Sequence, residues 1–421
     1  MTYKERAERV LARIDELAAI SEHDAGIVTR TFGTPAFLRG RDLVQGWFEA
    51  AGLHVRTDSI GNLHGCLESP DPNAKTFVIG SHIDTVVNAG KYDGPLGVLL
   101  GLDVLEHFTV SHLPFNLDLV AFSDEEGVRF HTTYLGSQVL AGSFDMELLK
   151  KADANGITLA EALAEMGITD AHRIPEQAKP ADQWLGYLEV HIEQGPVLWE
   201  KPLPVAVVTA IAGQQRLELA WRGMAGHAGT VPMTMRQDAL AAAAEFVLAV
   251  EAVALAGPAG LVATVGKLHL PLAASNVIPG EVTHSLDVRS PDSANLAAAV
   301  AELHTRAEAI AARRGVTMAW KSVQQSAPVQ CDTGLNAHLE AAIAEAGYEV
   351  VRLVSGAGHD AVPIAAVAPA TMLFIRCYRG ISHNPLENVE LADVAAAIAV
   401  AERFLHRLAS SLAPVPAPSA R

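Results

Sequence analysis

Between residues 76 and 123 the chain alternates two apolar runs of strand length, TFVIGSH and NLDLVAFSD, with an apolar stretch of helix length at 95–108. Runs of this kind read as buried strands, and strands separated by apolar helices confine a chain to a layered α/β core. The alternation recurs at 184–193 (WLGYLEVHIE) and resumes after Pro328 in LEAAIAEAGY and PATMLFIRC. Helical periodicity at 4–20 and 40–51 and a hairpin turning at Ile60-Gly61-Asn62 precede the core, and 146–166 reads as one helix.

A different order interrupts this pattern. QRLELAWRG alternates as a half-exposed strand, 235–255 is an alanine-rich helix, LVATVGKLHL and EVTHSLDVRS are strand-like, and 293–313 is helical. The order β-α-β-β-α-β between about 213 and 325 is that of the split βαβ, ferredoxin-like unit. We therefore expect a discontinuous α/β domain over 1–212 and 326–421, interrupted by a smaller α+β domain over 213–325. A length of 421 residues also favours two cores over one. The Pro- and Ala-rich tail LAPVPAPSAR is expected to be disordered.

Acids outnumber bases by 48 to 31 without a basic block, which argues against nucleic acid or an anionic membrane as partner. Cys66, Cys331 and Cys377 are scattered and form no CxxC pair, which fits a reducing cytoplasm. The first twenty residues carry early charges and helical periodicity in place of a secretion signal. No apolar run approaches the roughly 20 uninterrupted residues of a membrane span.

Chemistry-bearing residues gather where apolar elements end. The strand ending at His82 is followed by Asp84, placed to accept a hydrogen bond from one imidazole nitrogen while the other faces a metal. Alone, such a histidine serves structure more often than metal. Asp93, between Gly90 and Gly94, has the hard carboxylate that bridges two cations, though an aspartate before glycine is also an ordinary turn. In SDEEGVRF, Glu125 and Glu126 are adjacent acids that point to opposite sides of an extended chain, one suited to be a ligand and the other a general base. His191 and Glu193 repeat the His-x-acid spacing, and His383 lies in a loop within GISHNPLE.

The motifs GSHIDTV, KYDGPLGV, SDEEGVRF, HIEQGP, GHAGTVPM, SNVIPG, DVR, SGAGHDA and ISHNP, in this order, resemble those of the zinc-dependent amidohydrolases of the M20 peptidase clan. The resemblance runs from about residue 20 to 405. It points to the branch of allantoate amidohydrolases, N-carbamoyl-L-amino acid hydrolases and β-ureidopropionases. The resemblance implies a metallopeptidase-like catalytic domain with a layered mixed sheet, interrupted by a ferredoxin-like dimerisation or lid domain. It implies two divalent ions per subunit, zinc first, with manganese, cobalt or nickel as alternatives. His82 and His191 would bind one ion and Glu126 and His383 the other, with Asp93 bridging and Asp84 orienting His82. Related peptidases carry an acid where this chain has His191, and the family has a cis peptide after its bridging aspartate, here Asp93-Gly94.

By the same resemblance Glu125 is the general base, and His227 stabilises the oxyanion from the active site of a partner subunit, so a homodimer is implied. Without the family, His227 reads equally as a surface histidine in a Gly-Ala-Gly turn. Arg289 offers a planar bidentate donor for a carboxylate, or a strand-end salt bridge. Gln194, Asn276, Gly358 and His359 are further candidates for the substrate site. GQQR at 213–216 looks like the allantoate branch, with Gln215 and Arg216 reading a second ureido arm or simply lying on an exposed strand. The activity implied is cleavage of the carbamoyl C–N bond of a small ureido carboxylate. A dipeptidase or aminoacylase of the same clan and a silent metal-binding protein are the alternatives.

Overall fold

The computed structural model describes residues 1–23, 26–109, 113–271 and 274–412, so the tail beyond 412 lies outside the described residues. The chain forms two compact units. One contains Met1–Thr209, Cys331–Leu353 and Gly358 onward; the other contains Ala210–Gln330 with Val354–Ala357.

The larger unit is built on a mixed sheet. Its main strands are β1 (His54–Thr57), β2 (Leu63–Leu67), β3 (Thr76–His82), β4 (Asn116–Phe122), β5 (Trp184–Ile192), β6 (Val205–Ile211) and the late strand Ala370–Ile375, with the short strands Val329–Gln330 and Arg352–Ser355 pairing with β6. Their spatial order is β1-β2-β4-β3-β5, then Ala370–Ile375, then β6. β3 pairs in parallel with both β4 and β5, and Ala370–Ile375 pairs in parallel with β5. Every residue of β3 is buried, as its unbroken apolar run requires. Helix Pro95–His107 packs on β3 and β5, and is itself covered by Tyr3–Ala18 and Leu391–Leu412. Because β4, β3, β5 and Ala370–Ile375 run the same way, all four release the chain at one edge of the sheet. His82 stands opposite Phe122, and Phe374 opposite His191.

The smaller unit has its own core around Leu217, Leu219, Trp221, Phe246 and Leu303. Strand Gly213–Arg222 lies between Glu281–Ser290 and Thr317–Ser326, antiparallel to both, and the short strands Val262–Thr264 and Leu268–His269 pair with the outer side of Glu281–Ser290. Helices Ala239–Ala256 and Ser293–Arg314 alternate with these strands in the order β-α-β-β-β-α-β, the β-α-β-β-α-β pattern with its second strand broken in two. Along Glu281–Ser290 burial alternates strictly, with Val282, His284, Leu286 and Val288 turned to the helices.

Two local expectations are corrected. Residues 146–166 are a short turn of helix, Met146–Lys150, and a helix, Leu159–Glu165. Between them the Asp153 carboxylate accepts the Asn155 and Ile157 N–H groups and Gly156 takes φ +82°, a local turn that outcompetes helix. LVATVGKLHL gives two strands of three and two residues instead of one. Helix Ala239–Ala256, with mean hydropathy 2.0, is long and apolar enough by length and composition to cross a membrane, although Glu245 and Glu251 interrupt its apolar run. Its buried stripe of Ala239, Ala242, Ala243, Phe246, Val250 and Val253 lies in the core of the smaller unit.

Candidate metal centre

The shared edge of the parallel strands concentrates the chemistry. His82 ends β3, Ser123–Glu126 follow β4, His191 sits one residue before the end of β5, and the chain leaving Ala370–Ile375 carries Ser382, His383 and Glu387. Asp93 is brought to the same edge by the turn before helix Pro95–His107. Gly94 makes that turn with φ +83°, and a Cβ there would meet the His82 ring at 2.4 Å. The peptide bonds of the described residues are all trans, so the cis Asp93-Gly94 bond implied by the resemblance is not found and the left-handed glycine makes the turn instead.

Asp93 is the hub. His191 Nε2 lies 3.2 Å from its Oδ1, and His383 Nε2 lies 2.9 Å from its Oδ2. Ligand atoms of His82, Asp93 and His191 fall within 4.8 Å of one another, as do those of Asp93, Glu126 and His383, and those of His82, Glu125 and Glu126. The outward nitrogens are fixed by main-chain carbonyls: His82 Nδ1 is 3.1 Å from the Asp84 carbonyl and His191 Nδ1 is 3.0 Å from that of Ile192. A carbonyl only accepts, so Nδ1 carries a proton in both rings and Nε2 is the nitrogen turned toward the acids, free to be a ligand in the neutral ring. Burial holds His191 below its ordinary value. In the neutral ring its lone pair faces a carboxylate oxygen, and two acceptors at that distance call for a cation between them. The donor set of imidazole and carboxylate fits zinc and its first-row neighbours.

The acids of this edge are strained electrostatically. Burial raises the Glu125 carboxyl well above its ordinary value, and the charge of Glu126 adds to this. Burial pushes Glu126 up to about 7 against the pull of His82. Burial alone would raise Asp93 too, but the hydrogen bond with His383 and the His191 and His82 rings leave it below the carboxylate range. The contact with Asp93 lifts His383 to about 9. Such a site favours cationic occupants.

Asp84 does more than orient His82. Its Oδ1 lies 3.4 Å from His82 Nδ1, and its two oxygens accept the N–H groups of Glu125 (3.0 Å) and Glu126 (3.2 Å). The segment is thereby turned rather than extended, so both glutamates approach His82 instead of pointing to opposite sides. Gln194 Nε2 donates to both oxygens of Asp93, at 3.0 and 3.1 Å. Gln194 and His383 both take positive φ, +56° and +54°, the kind of backbone strain held at functional sites. His359 is buried edge-on against the His191 ring, with centroids 4.6 Å apart, and burial holds it well below the ordinary imidazole value. Gly358 is required because the Tyr134 hydroxyl occupies the place of a Cβ, 1.7 Å away.

The remaining candidates belong to the smaller unit. His227 is exposed on a two-residue strand paired with Val277–Ile278, and Ala228 N donates to the Asn276 carbonyl. Arg289 makes a bidentate pair with Asp287 and donates to the Gly356 carbonyl; Arg216 reaches the same Asp287 at 3.0 Å. Neighbouring residues on a strand face opposite ways, so Gln215 shares the side of Leu217 and Leu219. Gln214, unremarked in the sequence, stands opposite Arg289 in the register.

Sequence reasoning also missed three supports of the edge. Arg30, fully buried, donates to the carbonyls of Ile83, Leu17 and Ile20; burial lowers it to about 10 despite the charge of Asp84. Asn62 Oδ1 accepts the Ser123 N–H at 3.0 Å, and Glu387 accepts the N–H of Asp93 at 3.1 Å. Glu387 lies within GISHNPLE and Asn62 ends the turn Ile60-Gly61-Asn62, both noted above, whereas Arg30 lies in no such stretch.

Comparison with known proteins follows the same line. Residues 78–407 match the model of peptidase family M20/M25/M40. The chain is 40% identical to an allantoate deiminase of Arabidopsis thaliana over 93% of its length and 80% of that protein. It is also 40% identical to an N-carbamoyl-L-amino acid amidohydrolase of Geobacillus stearothermophilus, over 91% of this chain and 93% of the other. The crystal structure of a hydantoinase/carbamoylase family amidase from Burkholderia multivorans superposes with a TM-score of 0.90 at 34% identity, covering 97% of this chain and 98% of that one.

Proposed function

The chain belongs to the peptidase M20/M25/M40 family, whose enzymes are metal-dependent, and we propose that it hydrolyses the carbamoyl C–N bond of a small ureido carboxylate, releasing ammonia and carbon dioxide. Allantoate is the first substrate and N-carbamoyl-L-amino acids, including β-ureidopropionate, the second. The observation that carries the reading is the Asp93 carboxylate, each oxygen of which faces a different imidazole, His191 and His383. Two divalent ions would be held by His82, His191 and Asp93 and by Asp93, Glu126 and His383, zinc first, with manganese, cobalt or nickel meeting the same donors. When bound they supply Lewis acidity toward the scissile carbonyl and the attacking water.

The chain's own groups do the rest. Glu125, raised by burial, takes the proton of the attacking water and passes it to the departing nitrogen, a task suited to a carboxyl moved toward neutral pH. Arg289 holds the substrate carboxylate, with Asn276, Gln194, Gly358 and His359 as further contacts, and Arg216 reads the second polar arm. His227, exposed, donates to the developing oxyanion of a partner subunit's site in a homodimer, with residues 213–325 as the dimerisation and lid domain. Cys66, Cys331 and Cys377 are free thiols, in keeping with a reducing cytoplasm.

The test is ammonia release across allantoate, ureidoglycolate, β-ureidopropionate and N-carbamoyl amino acids. Glu125→Gln should abolish release while metal content stays that of the parent. Turnover surviving that change would remove Glu125 from its role, and release from dipeptides alone would overturn the ureido reading.

A further inference from the structure

We infer that Glu387 is the positioning residue that keeps Asp93 two-sided, acting through Ser382; the inference rests on the reading of Asp93 as a shared ligand. Glu387 is 4% exposed, and among the described residues it forms no ion pair with Lys or Arg. An acid in such a place is costly unless it is hydrogen-bonded to groups that need it. Its Oε1 accepts the N–H of Tyr92 at 2.7 Å and of Asp93 at 3.1 Å, so it grips the main chain on both sides of Tyr92, at the entry to Asp93. Its Oε2 is 3.1 Å from Ser382 Oγ, and Ser382 Oγ is 3.1 Å from Asp93 Oδ2. Ser382 has one O–H and donates to one of these two carboxylates at a time, but its oxygen stands between them, so Glu387 holds the Asp93 main chain directly and faces the Asp93 carboxylate across a shared hydroxyl. Main chain and side chain of the hub are thereby placed relative to each other, which limits the directions its oxygens can take.

The opposing wall is shaped for this acid. A Cβ on Gly90 would sit 2.3 Å from Glu387 Cβ and 2.4 Å from its Oε1, so the glycine three residues before Asp93 leaves the room that the glutamate fills. Tyr92 is tied to the same loop by its hydroxyl on Asn388 Oδ1 at 3.1 Å. The loop that delivers His383 therefore also delivers the clamp on the carboxylate His383 faces. Loss of the clamp should leave a carboxylate free to turn toward one side, so one ion is held and the second is weakened.

The experiment uses the full chain loaded with manganese(II) alone, comparing the parent with Glu387→Ala, Glu387→Gln and Ser382→Ala. Gln keeps a carbonyl oxygen for both N–H groups and offers its amide N–H to Ser382, so it should retain two ions and the exchange-coupled paramagnetic resonance spectrum of a bridged pair. Glu387→Ala should show the spectrum of isolated ions, a second-ion affinity lower by roughly 10- to 100-fold, and a fall in kcat with KM little changed. Ser382→Ala, which removes a single hydroxyl, should weaken the second ion in the same direction and keeps the test alive if Glu387→Ala does not fold. A coupled pair of unchanged affinity in Glu387→Ala, or in Ser382→Ala should the former not fold, overturns the inference alone. A parent protein that binds one uncoupled ion overturns the shared-ligand reading beneath it.

Discussion

Replacing Asp84 with Asn is the most direct probe of how the Glu125–Glu126 segment is held. The two carboxylate oxygens accept the Glu125 and Glu126 N–H groups at 3.0 and 3.2 Å from a side chain that is 1% exposed. An amide keeps one acceptor, now neutral, which costs about 1 kcal/mol, and turns its NH2 toward the other N–H, leaving a buried donor unsatisfied at about 1–3 kcal/mol. The sum, about 2–4 kcal/mol, should appear as faster hydrogen exchange of these two amides in the metal-stripped protein, by roughly 30- to 1000-fold. Because Asp84 also contacts His82 Nδ1, metal affinity should fall by about 10- to 100-fold. Exchange at Glu125 and Glu126 unchanged within a factor of three or so, with metal affinity intact, would refute the reasoning. The amide readout matters because a two-unit chain need not unfold in one step.

Three further predictions test packing and charge. Buried His64 is lowered by burial, but Asp118 and Asp58 at 3.1 and 3.4 Å more than offset this and raise it. Its folded value lies above the unfolded value of about 6.5, so its contribution is complete below that pH and lost as pH rises through the folded value. Thermal melts of metal-stripped protein should lose this alkaline decline in His64→Asn; a melt profile identical to the parent's would contradict the assignment. A Cβ on Gly97 would meet the Val190 carbonyl oxygen at 2.0 Å, beside His191, so Gly97→Ala should cost about 1–3 kcal/mol in urea unfolding. Gly46→Ala, within helix Pro35–Ala50 with nothing within 4 Å of its Cβ, should instead stabilise by about 0.5–1 kcal/mol.

The amino-acid sequence determined the elements and the residues at their ends. β3 and β5 were legible as largely apolar runs with His82 and His191 at or beside their ends, because a buried strand is mostly apolar along its length. The split βαβ order of the smaller unit was legible for the same reason, from the period of its strands and helices. The turn at Asp153–Gly156 was written in local side-chain chemistry but hidden by the apolar pattern on either side. Only the tertiary structure decided that four exits share one edge, since the order β4-β3-β5 with Ala370–Ile375 is a matter of pairing between segments distant in the chain. Only it decided that Glu387 reaches back 294 residues to the Asp93 N–H, that Arg30 holds Ile83, and that Gln214 rather than Gln215 stands beside Arg289. Hydrogen bonds of this kind leave no periodic trace, because each depends on where two unrelated stretches meet and not on what neighbours either residue along the chain.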